Sequence, residues 1–161
     1  MAKTENQQHY GMAKYAQVAY SKNIRNRMSH CVNLAKAMFI NGHTSNGRTN
    51  NFCFACFKRK IIAIGWNDYR KNMDRYMPQF NCCYKHTGEA TYVPSLHAEV
   101  SCLLKLGLQD CSHIDFFSVR LNRHGKCCMS KPCDNCAKLL KQVGFKHVWF
   151  FDSNMEMKSL I

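Results

Sequence analysis

Two short segments constrain this chain more than any other part of it: His97-Ala98-Glu99 and Pro132-Cys133-Asp134-Asn135-Cys136. Together they offer one imidazole, two thiolates and a carboxylate that is not needed as a ligand. A structural zinc site closes with four protein ligands, whereas a catalytic one has three and keeps its fourth position for water. His97, Cys133 and Cys136 are therefore the candidate metal ligands, and Glu99 is the candidate catalytic proton carrier. The fold must bring the two segments together. Cys133 and Cys136 share one face of the first turn of a helix expected over Cys133–Val143, and His97 stands at the start of another. Pro132 suits the opening of such a helix, where its missing N–H would have no partner anyway. Both helix N-termini then direct unsatisfied N–H groups and positive dipole ends at the metal, which favours thiolate and hydroxide.

The rest of the chain is read as an ordered set of elements. Apolar residues at Ile24, Met28, Cys31, Leu34, Ala35 and Met38 predict a helix over 24–39 closed by Asn41-Gly42. Phe52–Phe57 and Ile61–Gly65 read as strands around a basic turn at Lys58-Arg59-Lys60. A helix opens near His97 with Val100, Leu103, Leu104 and Leu108 as its apolar face. Ile114–Arg120 and His147–Phe151 read as strands, with a loop over 121–131 between the first of them and the Cys133 helix. Only ten residues follow Phe151, too few for the crossover of about a dozen that a parallel neighbour needs. A last strand within Met155–Ile161 must therefore run antiparallel. The expected architecture is a three-layer α-β-α domain with a mixed sheet of four to five strands. One domain over 1–161 is expected, with residues 1–10 a frayed tail and 68–96 a long loop or insertion.

The His97-x-Glu99 and Pro132-Cys133-x-x-Cys136 pattern resembles the signature of the zinc-dependent cytidine and deoxycytidylate deaminase superfamily. The resemblance covers roughly Phe52 to Phe151. It implies zinc on His97, Cys133 and Cys136, proton transfer by Glu99, and attack at C4 of cytosine. Gly65-Trp66-Asn67 is similar to the family's Gly-x-Asn, which implies that Asn67 contacts the substrate sugar. Ala98 matches the position whose backbone contacts the base. For Asn67 the alternative is a turn residue that closes a strand; for Trp66 it is base stacking or a place in the core. The antiparallel end is more like one branch of the superfamily than like the tRNA adenosine deaminases. The segment between Asn67 and His97 is longer than in the compact nucleoside deaminases, which leaves the substrate open.

Composition bears on partners. The formal charge of +13 points to anionic partners, either phosphate-bearing substrates or nucleic acid, or else to a merely solvated basic surface. Lys131, Arg123 and His124, near the Cys133 helix, are candidates to meet a substrate phosphate. Eleven cysteines without a secretory leader read as those of a reduced, cytoplasmic protein. Cys53 and Cys56, on one strand, should face opposite sides as buried thiols. A second, structural zinc could draw on Cys82, Cys83 and His86 with His124, Cys127 and Cys128. No membrane partner is expected, while a homo-oligomer is left open by the family. Three functions stay in play: a cytosine nucleoside or nucleotide deaminase, a deaminase of cytosine or adenine within single-stranded DNA or RNA, and a non-catalytic zinc module that binds nucleic acid. Keeping Glu99 argues against the third, because binding alone does not need it.

Overall fold

We describe residues 23–43, 50–72, 95–107 and 109–161 of a computed structural model. Helix α1 spans Ile24–Ile40, opened by Asn23, whose side chain accepts from the Arg25 N–H, and closed at Asn41. Strands β1 (Asn50–Phe57) and β2 (Lys60–Trp66) form an antiparallel hairpin around the basic turn. Short strands β3 (Asp68–Asn72) and β4 (Ser95–Leu96) pair antiparallel in a small separate sheet. Helix α2 is Ala98–Leu106, followed by β5 (Ile114–Leu121), β6 (Cys127–Cys128), helix α3 (Asp134–Val143), β7 (His147–Phe151) and β8 (Met157–Ser159). No helix among the described residues is long and apolar enough to cross a membrane.

The main sheet runs β2-β1-β5-β7-β8, with β6 attached to β5 as a sixth strand. Among the described strands only β5 and β7 are parallel; β8 returns antiparallel along β7, as the short connection between them requires. Three corrections to the sequence expectations follow. The sheet has six strands rather than four to five, because Cys127-Cys128 pairs with Arg120-Leu121 inside what reads as a loop. Residues at both ends of the expected 68–96 loop are strand, and the polar run Asp68-Tyr69-Arg70-Lys71-Asn72 carries no alternation that could announce it. Leu104 is exposed, while Ala98, Glu99, Val100, Ser101 and Cys102 are all buried, so α2 is enclosed around its first turn instead of along one stripe.

The sheet separates two cores. On one side α1 packs Met28, Cys31, Ala35 and Met38 onto Phe52, Phe54, Phe117, Val119 and Leu121. On the other, Ala98 and Cys102 of α2 and Leu140 of α3 meet Cys53, Ala55, Ala63, Phe116 and Val148. Cys53 and Cys56 belong to opposite cores, as the strand period requires. At the strand starts, buried Asp115 of β5 binds Arg27 of α1 at 2.6 Å and His147 of β7 at 2.8 Å, tying three elements together. The site lies at the other end of the sheet.

Candidate zinc centre

His97 is the N-cap of α2 with extended backbone and makes no side-chain cap bond, so its ring is released from helix duty. Its Nδ1 faces Cys133 Sγ at 3.7 Å and Cys136 Sγ at 3.6 Å. Cys133 is the N-cap of α3, outside the helix proper, and its sulfur accepts from the Cys136 N–H at 3.5 Å. Cys133 is exposed and Cys136 fully buried. The three donor atoms lie within 4.8 Å of one another. Tetrahedral zinc with Zn–S of about 2.3 Å and Zn–N of about 2.0–2.1 Å sets nitrogen and sulfur roughly 3.6 Å apart. The donor set and its spacing therefore fit zinc.

The electrostatics suit the same ion. The Cys133 thiol is pulled down to about 3, first by its hydrogen bond with Cys136 and then by the His97 ring and the Cys136 N–H. The Cys133 thiolate in turn raises His97, against the effect of burial. Glu99, one position into α2 from Ala98, is only 5% exposed and is not one of the three donors. Burial lifts its carboxyl above the usual carboxylate range, opposed by its own backbone N–H, by His97 and by a hydrogen bond with Cys136. A buried carboxyl raised above its usual range beside three metal-capable donors is suited to accept and return protons.

Residues 21–152 match the family model described as the cytidine and deoxycytidylate deaminase zinc-binding region. The chain belongs to this deaminase family. Among solved structures, it is similar to the dCMP deaminase from the cyanophage S-TIM5 in apo form, at 18% identity and a TM-score of 0.48 over 78% of this chain and 82% of that one. It is also similar to the cytidine deaminase from Mycobacterium leprae, at 16% identity and a TM-score of 0.46 over 82% of this chain and 92% of that one. No curated protein sequence matches it.

The deaminase's other candidate residues divide. Gly65 sits under α2, where an added Cβ would lie 2.1 Å from Ala98 O and 2.3 Å from Cys102 N. Only glycine lets β2 and the start of α2 approach this closely, and that approach seats buried Ala98 beside the site. Asn67, just past β2, accepts from the Asn51 N–H through Oδ1 at 2.9 Å, while its own N–H donates to Asn51 O at 3.3 Å. It closes the strand pair whatever else it does. Trp66 packs on the α1 core, on the far side of the sheet from Ala98, with Lys105 Nζ 3.4 Å above its ring and His43 at its edge. Alternation along β2 dictates this: Gly65 faces α2, so Trp66 turns to the other face, where it is partly buried.

Arg123 and His124 bond to each other on a turn whose Gly125 leans on Phe39 of α1, and Lys131 is exposed. His97, Cys133 and Cys136 are the sole metal-binding group of three or more among the described residues; Cys127, Cys128 and His124 form no other. Cys82, Cys83 and His86 lie outside the described residues. Two buried serines, Ser118 and Ser130, escaped the sequence reading. Ser118 stands between Phe117 and Val119 in the middle of β5, the one signal that could have singled it out.

Proposed function

We propose that this deaminase hydrolyses the cytosine base of a free nucleoside or nucleotide, of the cytidine, CMP or dCMP type, to uracil with release of ammonia. The observation that carries the reading is Glu99: a buried carboxyl against His97, Cys133 and Cys136 that is not itself a member of the ligand set. Held by His97, Cys133 and Cys136, zinc would supply a Lewis acid that lowers the pKa of water to about 7. Glu99 as carboxylate takes the proton of the water that adds to C4 of cytosine and passes it to ring N3. Glu99, again a carboxylate, then takes the proton of the new C4 hydroxyl and delivers it to the leaving amine as the C4 carbonyl forms, so water and cytosine are consumed and uracil and ammonia leave. Burial of Glu99 keeps bulk water from competing for that proton. Ala98, fixed under Gly65, offers its backbone to the base, and Asn67 offers its amide to the sugar.

The densest basic run in the sequence lies away from the site. The basic run Lys58-Arg59-Lys60 turns at the opposite end of β1 and β2 from Trp66 and Asn67. Six residues of strand separate the two ends, roughly 20 Å. Those three cations therefore form no track into the site. Ammonia release from cytidine, CMP, dCMP, single-stranded DNA and single-stranded RNA tests the reading. Activity on at least one of the first three, abolished by Glu99→Ala, is expected. Conversion of polynucleotide alone overturns the substrate assignment, and full activity in Glu99→Ala overturns the mechanism.

A further inference from the structure

The main sheet forks beside the site. β5 pairs with β7 through Asp115, Phe116 and Phe117, then with β6 through Arg120 and Leu121. Ser118 stands in the gap where the partner changes. There the Ser118 hydroxyl donates to Ser130 O at 2.8 Å and the Ser130 hydroxyl donates to Ser118 O at 2.7 Å. Ser130 Oγ also accepts from the Phe151 N–H at 2.9 Å, and the Ser130 N–H donates to Phe151 O at 2.9 Å. Both serines are almost wholly buried, at 3% and 4% exposure. These bonds therefore join buried protein groups across the fork. Cys53 lies opposite Ser118 on β1.

We infer that Ser130, locked to Ser118 and to Phe151, is a positioning residue that sets the Cys133–Cys136 end of α3 relative to His97. The reach of the chain makes the link tight: only Lys131 and Pro132 separate Ser130 from Cys133, about 10 Å when extended. The intervening Pro132 is buried and has a fixed φ. Fixing Ser130 on two diverging strands therefore leaves Cys133 little freedom. Without that anchor the segment hangs from exposed Met129 and Lys131. A hydroxyl is needed because it must donate and accept at once, which alanine cannot do and threonine can.

This inference rests on the zinc reading of the site, and its test keeps the two apart. On the zinc-loaded full chain, Ser130→Ala should release zinc to a chelator about tenfold faster, the lower end of what outer-shell partners contribute. Ser130→Thr should restore slow release, and Met129→Ala on the same segment should not change it. Independently of zinc, amide hydrogen exchange over residues 130–136 should quicken in Ser130→Ala and Ser118→Ala, while α1 keeps its protection. Unchanged exchange over 130–136 in both variants overturns the positioning role, even if zinc binding is confirmed. Release from Ser130→Ala at the wild-type rate overturns it as well. A wild-type chain that binds no zinc, yet shows the expected exchange pattern, sinks the zinc reading and leaves the serine anchor standing.

Discussion

On β1, Phe52 and Phe54 face α1, while Cys53 and Ala55, their immediate neighbours, face α2 and α3. The contrast extends across the sheet. The α1 side is filled by large side chains and its cysteines are ordinary buried thiols. On the other side large residues such as Phe116, Leu140 and Phe145 fill the part toward α3, but directly under α2 the contacts are small: Cys53, Ala55, Ala63 and Gly65 against Ala98 and Cys102. Small residues let a helix start descend onto the sheet, so its free N–H groups and dipole arrive at the ligands and not at solvent. One face of the sheet holds the molecule together; the other gives up packing volume to bring two helix starts to one point.

The largest effect that could break this division concerns chemistry alone. Glu99→Gln should lower kcat by about 10²–10⁴-fold and keep one zinc per chain by mass spectrometry. Loss of the metal as well would make Glu99 a structural member of the site. Next, Phe54→Ala, on the α1 face, should cost about 3–5 kcal/mol in urea unfolding, with zinc content and kcat unchanged below the melting transition. If zinc is lost with it, the two faces are not separate. Gly65→Ala should be milder in stability, about 1–3 kcal/mol from overpacking, yet it should weaken zinc binding and activity because α2 must lift.

The electrostatic prediction is smaller and concerns the metal-free protein. Cys133, held at about 3 by Cys136 and His97, is depressed below the ordinary thiol value, itself about 8.5. A depressed group stabilises the fold above its unfolded value, and that contribution fades as pH falls, vanishing through pH 3. At pH 6 iodoacetamide should therefore alkylate Cys133 ahead of Cys127 and Cys128, whose thiols burial pushes up. Equal labelling would deny the helix-end environment its effect. Smallest of all, Asn67→Asp retains the oxygen that accepts from Asn51 and should leave stability within about 1 kcal/mol. It removes the amide donor, so a raised KM for cytidine or CMP at unchanged kcat would locate the sugar contact, and an unchanged KM would reduce Asn67 to its strand-closing role.

Much of this was legible beforehand. The 3.6-residue rhythm of Ile24, Met28, Cys31 and Met38 announced α1, and the turn residues Asp152-Ser153-Asn154 fit the short antiparallel return from β7 to β8. Other features were not legible, for definite reasons. Strand β3 is polar and β6 is two residues long, so neither carries a periodic signal. Trp66 beside Asn67 invites a stacking role in one dimension, whereas strand alternation sends it through the sheet. The Asp115 cluster with Arg27 and His147 joins residues from three elements and leaves no local trace.

The residues by themselves determined the candidate site: three donors able to hold zinc, a spare carboxyl and helix-opening positions follow from composition and short spacing, which are local properties. Tertiary structure alone decided the rest, because it depends on which face each strand residue presents and where the sheet forks. It seats Gly65 under Ala98, buries Glu99, turns Trp66 away, and brings Ser118 to Ser130 three residues before the first thiolate. Those are long-range contacts, and long-range contacts are set by packing rather than by sequence neighbours.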